Sequence, residues 1–441
     1  MGLSAIEIYK LLPKTNCGDC GFPTCLAFAM QLANMKVELS ACPHVDAAAG
    51  EALGAASAPP IKLVTVGDGD GKLELGDEKV LFRHEKTFYH APPFVGVVED
   101  GWDADTIRSR AADVKALVFD RVGREEGMNA VAVWHTSGDM AAAATMAKEA
   151  SGMPLVLIGS DEGAMKAALG AVGGDKPLIV SIDAGSNSAM VALAKEHGCP
   201  VAVGSDGGLE GLADEVKAAK DAGVENIVML MRGELGDLFN DLVAVRRLAI
   251  NKSFRVLGYP SMTIVEGNDE IETTLEVATL LMKYSSMLVL RNYSPELILP
   301  LVTLRLNVYT DPQKPIQVKP AIYKVGDPGP DAPFMITSNF SLTYFSVEGD
   351  VDKSKVPSRI LVIDTEGLSV LTAFAAGKME PDKMADAIEA SGIADIINHK
   401  KLIIPGMIAR ASGKLAELTG WEIIVGPRES TGIPKFLREL K

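Results

Sequence analysis

Four cysteines crowd one end of the chain in the spacing C-x2-C-x4-C-x16-C: Cys17, Cys20, Cys25 and Cys42, the last followed by Pro43. Four thiolates can supply one ligand to each iron of a 4Fe–4S cluster. The spacer Gly18-Asp19 and the run Gly21-Phe22-Pro23-Thr24 make a tight, glycine-permitted loop whose backbone N–H groups can point at sulfur. Hydrogen bonds of that kind tune a cluster's potential. The spacing matches neither common ferredoxin pattern. A four-thiolate zinc site is the alternative, although zinc sites often use two close pairs and only Cys17/Cys20 forms one here. Free thiols are the third reading. Cys199, at the start of an apolar run, reads as a small buried hydrophobe.

Other motifs fail on inspection. The segment GDGDGKLELGDEK has its third glycine too early for a dinucleotide loop, and Lys72 sits where an EF-hand needs its third ligand. A β-hairpin is the expectation there. No G-x-x-x-x-G-K-[ST] phosphate loop occurs.

Composition narrows the class further. The 441 residues carry 43 Lys and Arg against 58 Asp and Glu, a net charge of −15, with no long basic run, so nucleic-acid binding is not expected. No run of 18 apolar residues suggests a membrane span. The start, MGLSAIEIYKLLPK, lacks a signal-peptide core, and Ile6 breaks the myristoylation pattern. The expectation is a cytoplasmic protein, where clustered cysteines are read as metal ligands rather than disulfides.

The elements that must position these residues fall into an α/β multidomain chain. Residues 1–56 show helical spacing around the cysteines and too little apolar content for a core without a staple. Residues 57–92 read as a linker with the hairpin. Across 93–312 strand patterns (FVGVV, AVAVW, PLVLI, PLIVSI, PVAVG, NIVML, a less clear one within 254–265, SMLVL) alternate with amphipathic helical stretches. Eight such units predict a TIM (β/α)8 barrel, with an open doubly wound sheet second. A Pro-rich linker, 313–333, leads to 334–441, a small parallel sheet of flavodoxin or Rossmann outline whose strand ends are rich in Gly and Pro.

CGDCGFPTC followed by a lone Cys-Pro resembles the large (gamma) subunit family of the corrinoid iron–sulfur protein, in the acetyl-CoA decarbonylase/synthase complex of the Wood–Ljungdahl pathway. LFRHEKTFYH (81–90), RRLAINKSFRVLGYP (246–260), VYTDP (308–312), TSNFSLTYFSVEG (337–349), DTEGLSVLTAFAAGK (364–378) and TGWEIIVGPRESTGIP (419–434) extend the resemblance over essentially the whole chain. The resemblance implies a 4Fe–4S cluster on Cys17, Cys20, Cys25 and Cys42, and a corrinoid (a cobamide) on the C-terminal domain. It implies a methyl carrier rather than an independent catalyst. Co(I) takes the methyl from methyltetrahydrofolate on a methyltransferase and passes it, as methyl-Co(III), to acetyl-CoA synthase. The cluster reductively reactivates Co(II). The implied partners are a small barrel subunit forming a heterodimer, those two enzymes and a reductive activator, with no nucleic acid and no membrane.

Many corrinoid domains hold cobalt through D-x-H-x-x-G. None of the six histidines has Asp two positions earlier, and only His399 lies in the C-terminal domain, in the polar run NHKK. No histidine ligand is therefore expected, and the resemblance implies a corrinoid bound base-off, with neither its own base nor a protein histidine on the metal, which eases reduction to Co(I). By carry-over of the motifs, Ser369, Val370, Leu371, Thr372 and Ala373 lie beneath the ring, with Thr372 nearest cobalt as the catalytic candidate. Ser338, Asn339, Ser341 and Thr343 are expected to meet amide side chains. Phe340, Tyr344 and Phe345 cover an edge, and Gly406 with Arg428, Gly432 and Ile433 wall the far side.

Polar residues also follow the barrel strands: His135, Ser137, Ser160, Asp161, Asp183, Asn187, Ser205, Asp206, Arg232, Arg291 and Asn292. Such positions are catalytic in barrel enzymes. A scaffold role is the expectation here. The competing functions are a pterin-binding barrel methyltransferase with a zinc module and a flavin electron carrier.

Overall fold

The computed structural model describes residues 5–33, 37, 39–46, 59–267, 269–311 and 315–440. The chain forms two compact units, Met1–Phe119 with Glu126–Tyr309, and Asp120–Glu125 with Thr310–Lys441. Most of the Ala/Gly-rich stretch expected to drain out of the cysteine module, 47–58, lies outside the described residues.

In the first unit, α1 (Ala5–Leu11) packs against α2 (Cys25–Ala33). Thr24 opens α2 by accepting from the Ala27 N–H at 3.1 Å, and Asn16 Oδ1 accepts from the Cys25 N–H at 2.8 Å. Among the described residues, the buried core between the helices is Ile8, Leu12, Cys25, Phe28, Ala29 and Leu32.

The hairpin strands β1 (Val64–Val66) and β2 (Leu73–Leu75) pair antiparallel. They are followed by β3 (Phe94–Glu99), a two-stranded sheet of β4 (Val118–Asp120) and β5 (Glu125–Gly127), then β6 (Ala130–Trp134), β7 (Leu155–Gly159), β8 (Leu178–Ser181), β9 (Val201–Gly204), β10 (Ile227–Met231), β11 (Ser261–Val265) and β12 (Met287–Leu290). Strands β3 and β6 to β12 close into an eight-stranded parallel barrel. The helices outside it are α3 (Ala104–Ala116), α4 (Met140–Ser151), α5 (Glu162–Val172), α6 (Asn187–His197), α7 (Gly208–Asp221), α8 (Leu235–Lys252), α9 (Glu270–Met282) and α10 (Pro295–Tyr309). Period-two alternation divides each strand. Val95, Val97, Val156, Ile158, Leu178 and Val180 fill the interior, while Phe94, Val98, Leu155, Leu157 and Ile179 face the helices.

The hairpin is more than a connector. Val64, Val66 and Leu75 join the interior cluster of the barrel. Gly67 N–H donates to Lys176 O and Lys62 N–H to Gly258 O, both ahead of barrel strands, so β1 and β2 floor the amino-terminal end. Gly76, at φ +85°, has no room for a side chain, because a Cβ would stand 2.1 Å from Lys62 O.

The second unit holds β13 (Ala321–Val325), β14 (Phe334–Ser338), β15 (Ser358–Ile363), β16 (Lys401–Ile404) and β17 (Glu422–Val425) in the order β13-β15-β14-β16-β17. The last four are parallel, as expected, but β13 runs antiparallel along β15. Thus the stretch 313–333 contains an edge strand as well as connecting chain. Its alternation is masked in the sequence by half-exposed positions such as Tyr323 and by exposed Lys324. The helices are α11 (Ser341–Ser354), α12 (Val370–Ala375), α13 (Pro381–Ala390), α14 (Ser412–Thr419) and α15 (Ile433–Glu439).

Candidate functional site

The chain runs from β14 outward to β15 and then back to β16 on the other side of β14. That reversal opens a crevice beyond the carboxyl ends of the parallel strands, where open α/β sheets bind ligands. A cavity of about 590 Å3 occupies this place. Its lining comes from the end of β14 (Met335, Ile336, Thr337), the turn after β15 (Ser369, Val370, Leu371, Thr372), the end of β16 (Ile403, Ile404, Pro405) and the loop after β17 (Gly426 to Ser430). The wall is mostly apolar, with hydroxyls on Thr343, Ser346, Ser369, Thr372 and Ser430. None of its lining residues is histidine or cysteine. His399 stands at the other end of β16, where its Nε2 lies 3.0 Å from Ala332 O and its Nδ1 accepts from the Lys401 N–H.

Of the residues singled out in the sequence, Thr343, Ser369, Val370, Leu371, Thr372, Arg428 and Ile433 line this cavity together with Phe340. Ser338, Asn339, Ser341, Tyr344, Ala373, Gly406 and Gly432 are not among the lining residues. Asn339 is buried and builds the wall from behind. Its Oδ1 accepts from the N–H groups of Thr365 and Gly367 and from the Thr365 hydroxyl, and its amide donates to Gln317 and Asp364. It thereby fixes the turn that presents Ser369 and Thr372, whose hydroxyls are 3.1 Å apart. Tyr344 is packed against Tyr323 and Phe345, with its hydroxyl on Glu348. Burial, then the Glu348 charge, pushes that phenol well above its usual range. Gly406 permits a backbone approach: a Cβ there would meet Gly426 O at 2.5 Å and Arg428 N at 2.8 Å. Gly432 does the same against Pro427.

The sequence reading missed Leu342, Met407 and Phe436 of the lining. Leu342 and Met407 are exposed apolar side chains, 58% and 44% accessible. An apolar residue beside a hydroxyl-rich turn was the available signal. The oxygens of Thr337, Ser338 and Ser341 are buried with no hydrogen-bond partner among the described residues. Thr337 reaches the cavity. A large apolar ring with amide arms fits such a wall: a broad apolar face, hydroxyls around it, and an unpartnered oxygen on the lining.

The cysteine loop is a second candidate site. All four thiols are free of disulfides. Cys20, Cys25 and Cys42 pack on one small apolar cluster, and Cys17 is exposed. Gly18 and Gly21 adopt φ +83° and +82°, which turns the loop back on itself with Gly21 N–H on Gly18 O. Asp19 and His44, whose pairing the sequence did not suggest, tie the two arms together at 2.6 Å. The hydrogen bond from His44, then one from Cys17, holds the Asp19 carboxyl below the usual range. Ligand atoms of Cys17, Asp19 and His44 lie within 4.8 Å of one another. Cys20, Cys25 and Cys42 on that apolar support, with Cys17 on the same loop, are soft thiol donors of the kind an iron–sulfur cluster takes.

The polar residues at the barrel's carboxyl end have structural partners. Asp161 caps α5 through the Ala164 N–H. Asn187 donates to Gly204 O, Asn292 to Gly267 O, and Ser205 accepts from Gly207. Arg232 pairs with Asp206, and Arg291 lies between Glu99 and Glu266, stacked on Trp134. His135 meets Asp100 at 2.5 Å.

A family model described as "CO dehydrogenase/acetyl-CoA synthase delta subunit" matches residues 63–437, and one described as "Putative Fe-S cluster" matches 12–44. The corrinoid/iron-sulfur protein large subunit of Moorella thermoacetica is 43% identical, over 99% of each chain. Acetyl-CoA decarbonylase/synthase complex gamma subunits are 36% identical in Methanothermobacter thermautotrophicus, covering 100% of this chain and 99% of that one, and 34% identical in Archaeoglobus fulgidus, covering 99% and 98%. The delta-subunit model begins after the cysteines, whereas these relatives run through both regions.

Proposed function

The chain belongs to the family of corrinoid/iron-sulfur protein large subunits and acetyl-CoA decarbonylase/synthase gamma subunits, and on that basis we propose that it is a methyl carrier of the acetyl-CoA pathway. The observation that carries this reading is the switch-point cavity, large, apolar and free of histidine among its lining residues. A corrinoid bound there supplies a metal that accepts a methyl group and hands it on, and a cluster on the cysteines supplies the electron that restores an oxidised metal. In this reading Val370 and Leu371 floor the ring, and Thr372 stands nearest its metal with Ser369 holding the Thr372 hydroxyl. Thr343 and Arg428 meet peripheral amides. Ser338, Asn339, Ser341, Tyr344, Ala373, Gly406 and Gly432 act by positioning those walls. With no histidine or cysteine on the lining, the residues present would give a bound corrinoid's metal no strong donor, which would favour its reduced, nucleophilic state.

Cys17, Cys20, Cys25 and Cys42 hold the cluster, in a module proposed as 1–56. The barrel is assigned to 93–312 and the corrinoid domain to 334–441, with 57–92 and 313–333 connecting them. The carrier must meet several partners in turn: a small subunit in a heterodimer, a methyltetrahydrofolate methyltransferase, acetyl-CoA synthase and a reductive activator. The expected compartment is the cytoplasm; among the described residues no helix is long and apolar enough to cross a membrane.

The visible and EPR spectra of anaerobically purified protein test the reading, with metal analysis. Iron and cobalt with a base-off signal are expected. Zinc alone, or a flavin spectrum, overturns it. Cys20→Ala should leave methyl transfer from pre-reduced protein intact while abolishing reductive reactivation. Equal loss of both in folded protein would reject this division of labour.

A further inference from the structure

The four thiols of the cysteine loop are unequally protected. Cys25 is buried, Cys20 and Cys42 are half-buried, and of the four only Cys17 is exposed. A cluster held by these residues therefore has one ligand, Cys17, on its solvent side. An exposed thiolate is the ligand most open to oxidation and to displacement by other donors.

Other donors stand at that same corner. Among the described residues, Cys17, Asp19 and His44 form one group whose ligand atoms lie within 4.8 Å of one another, and none of the other three cluster thiols belongs to it. A metal with bonds of about 2.0–2.3 Å holds neighbouring donors roughly 3.5 Å apart. Side-chain rotation on an exposed loop is enough to close that difference. Asp19 lies between Cys17 and Cys20, on the turn shaped by Gly18 and Gly21 at positive φ. A Cβ at either glycine would meet nothing within 4 Å, so the turn has room to adjust. His44 Nε2 donates to Asp19 Oδ2. That bond occupies one carboxylate oxygen and leaves Oδ1 for a metal, the way an outer partner orients a ligating carboxylate.

We propose that the Asp19 carboxylate is a reserve ligand for the cluster iron at Cys17, held in position by His44. The inference rests on the cluster reading above. Iron accepts oxygen and nitrogen donors beside thiolates. The exchange is redox-neutral: an iron–thiolate bond breaks, an iron–carboxylate bond forms, and the released thiolate takes a proton from water. A cluster with such a corner keeps its fourth iron when Cys17 is lost. His44 is a positioning residue here, because its Nε2 is spent on Asp19.

The experiment is anaerobic reconstitution of the full chain, wild type and variants, with iron and sulfide analysis and EPR of the oxidised and reduced forms. Cys17→Ala should keep the 4Fe–4S content of wild type. Cys17→Ala/Asp19→Ala should lose one iron and give a 3Fe–4S signal when oxidised. Asp19→Ala alone should keep the 4Fe–4S cluster, because Cys17 is in place. Pulsed EPR of reduced Cys17→Ala should show no strongly coupled nitrogen, since the replacing donor is oxygen. A 3Fe–4S cluster, or none, in Cys17→Ala overturns the reserve ligand and leaves the cluster reading standing. So does a 4Fe–4S cluster that survives in the double variant. Loss of the cluster in Asp19→Ala alone makes Asp19 a structural brace and overturns the proposal too. A strongly coupled nitrogen overturns the choice of Asp19 in favour of His44. Zinc in place of iron, or no cluster in wild type, overturns the cluster reading and this inference with it.

Discussion

Arg246 is 5% exposed and lies between the rings of Phe88 and Tyr284, 5.0 and 4.7 Å from their centroids. It donates to Glu78 and to Val80 O, and so ties the segment before β3 to α8. That network explains why LFRHEKTFYH and RRLAINK stand out together although far apart in the chain. Arg246→Leu leaves the Glu78 carboxylate buried and unpaired, so chemical denaturation should show a loss of about 3–5 kcal/mol, with much of it recovered in Arg246→Leu/Glu78→Leu. Asp100 gives a pH prediction. Burial works against its charge, but the Thr136 N–H, His135, the Thr136 hydroxyl and the Gly138 N–H outweigh it and hold the carboxyl low. A depressed folded value means stability present above the unfolded value of about 3.9 and lost as pH falls through the folded one. Asp100→Asn should therefore cost roughly 1–2 kcal/mol at pH 7, with the gap to wild type closing below about pH 4 in acid melts. The clustering of the cysteines is legible in the sequence, because a ligand loop is local, although spacing by itself left an iron–sulfur and a zinc site both open. The Asp19–His44 tie was not, because nothing local relates residues separated by α2.

Among the elements, apolar runs and the helices between them made the barrel legible, since a parallel strand buried on both faces reads as a continuous Val/Ile/Leu run. Edge strands lose that signal, and β13 shows it, with only Val325 buried and its other four residues exposed or half-exposed. The hairpin was recognised from its glycines, but its burial in the barrel interior depends on where the floor lies. The wall after β17 rests on Gly406, whose N–H donates to Pro427 O. Gly406→Ala must push backbone against backbone. Stability should fall by about 1–3 kcal/mol, and corrinoid affinity should fall further than in Thr343→Ala, as read by cofactor retention on gel filtration.

Across the whole chain, stability is uneven. The barrel and the five-stranded sheet each enclose extended apolar clusters, whereas the apolar cluster of the cysteine module has six buried hydrophobic residues among those described. So small a core needs its metal. Stripping iron with a chelator under anaerobic conditions should unfold the module alone: protease cleavage should concentrate within residues 5–46, with the main thermal transition almost unmoved. A shift of the main transition by more than a few degrees would show that the cluster stabilises the barrel as well.

Ligand spacing, strand–helix alternation and the lack of a motif histidine are all readable along the chain, because each is written in residues near one another. Two other features belong to the folded molecule alone: the turns after separate strands converge on one cavity, and Asn339 builds its wall instead of lining it. These depend on strand order and on which face of each element is buried, and both are settled when distant segments pack against one another.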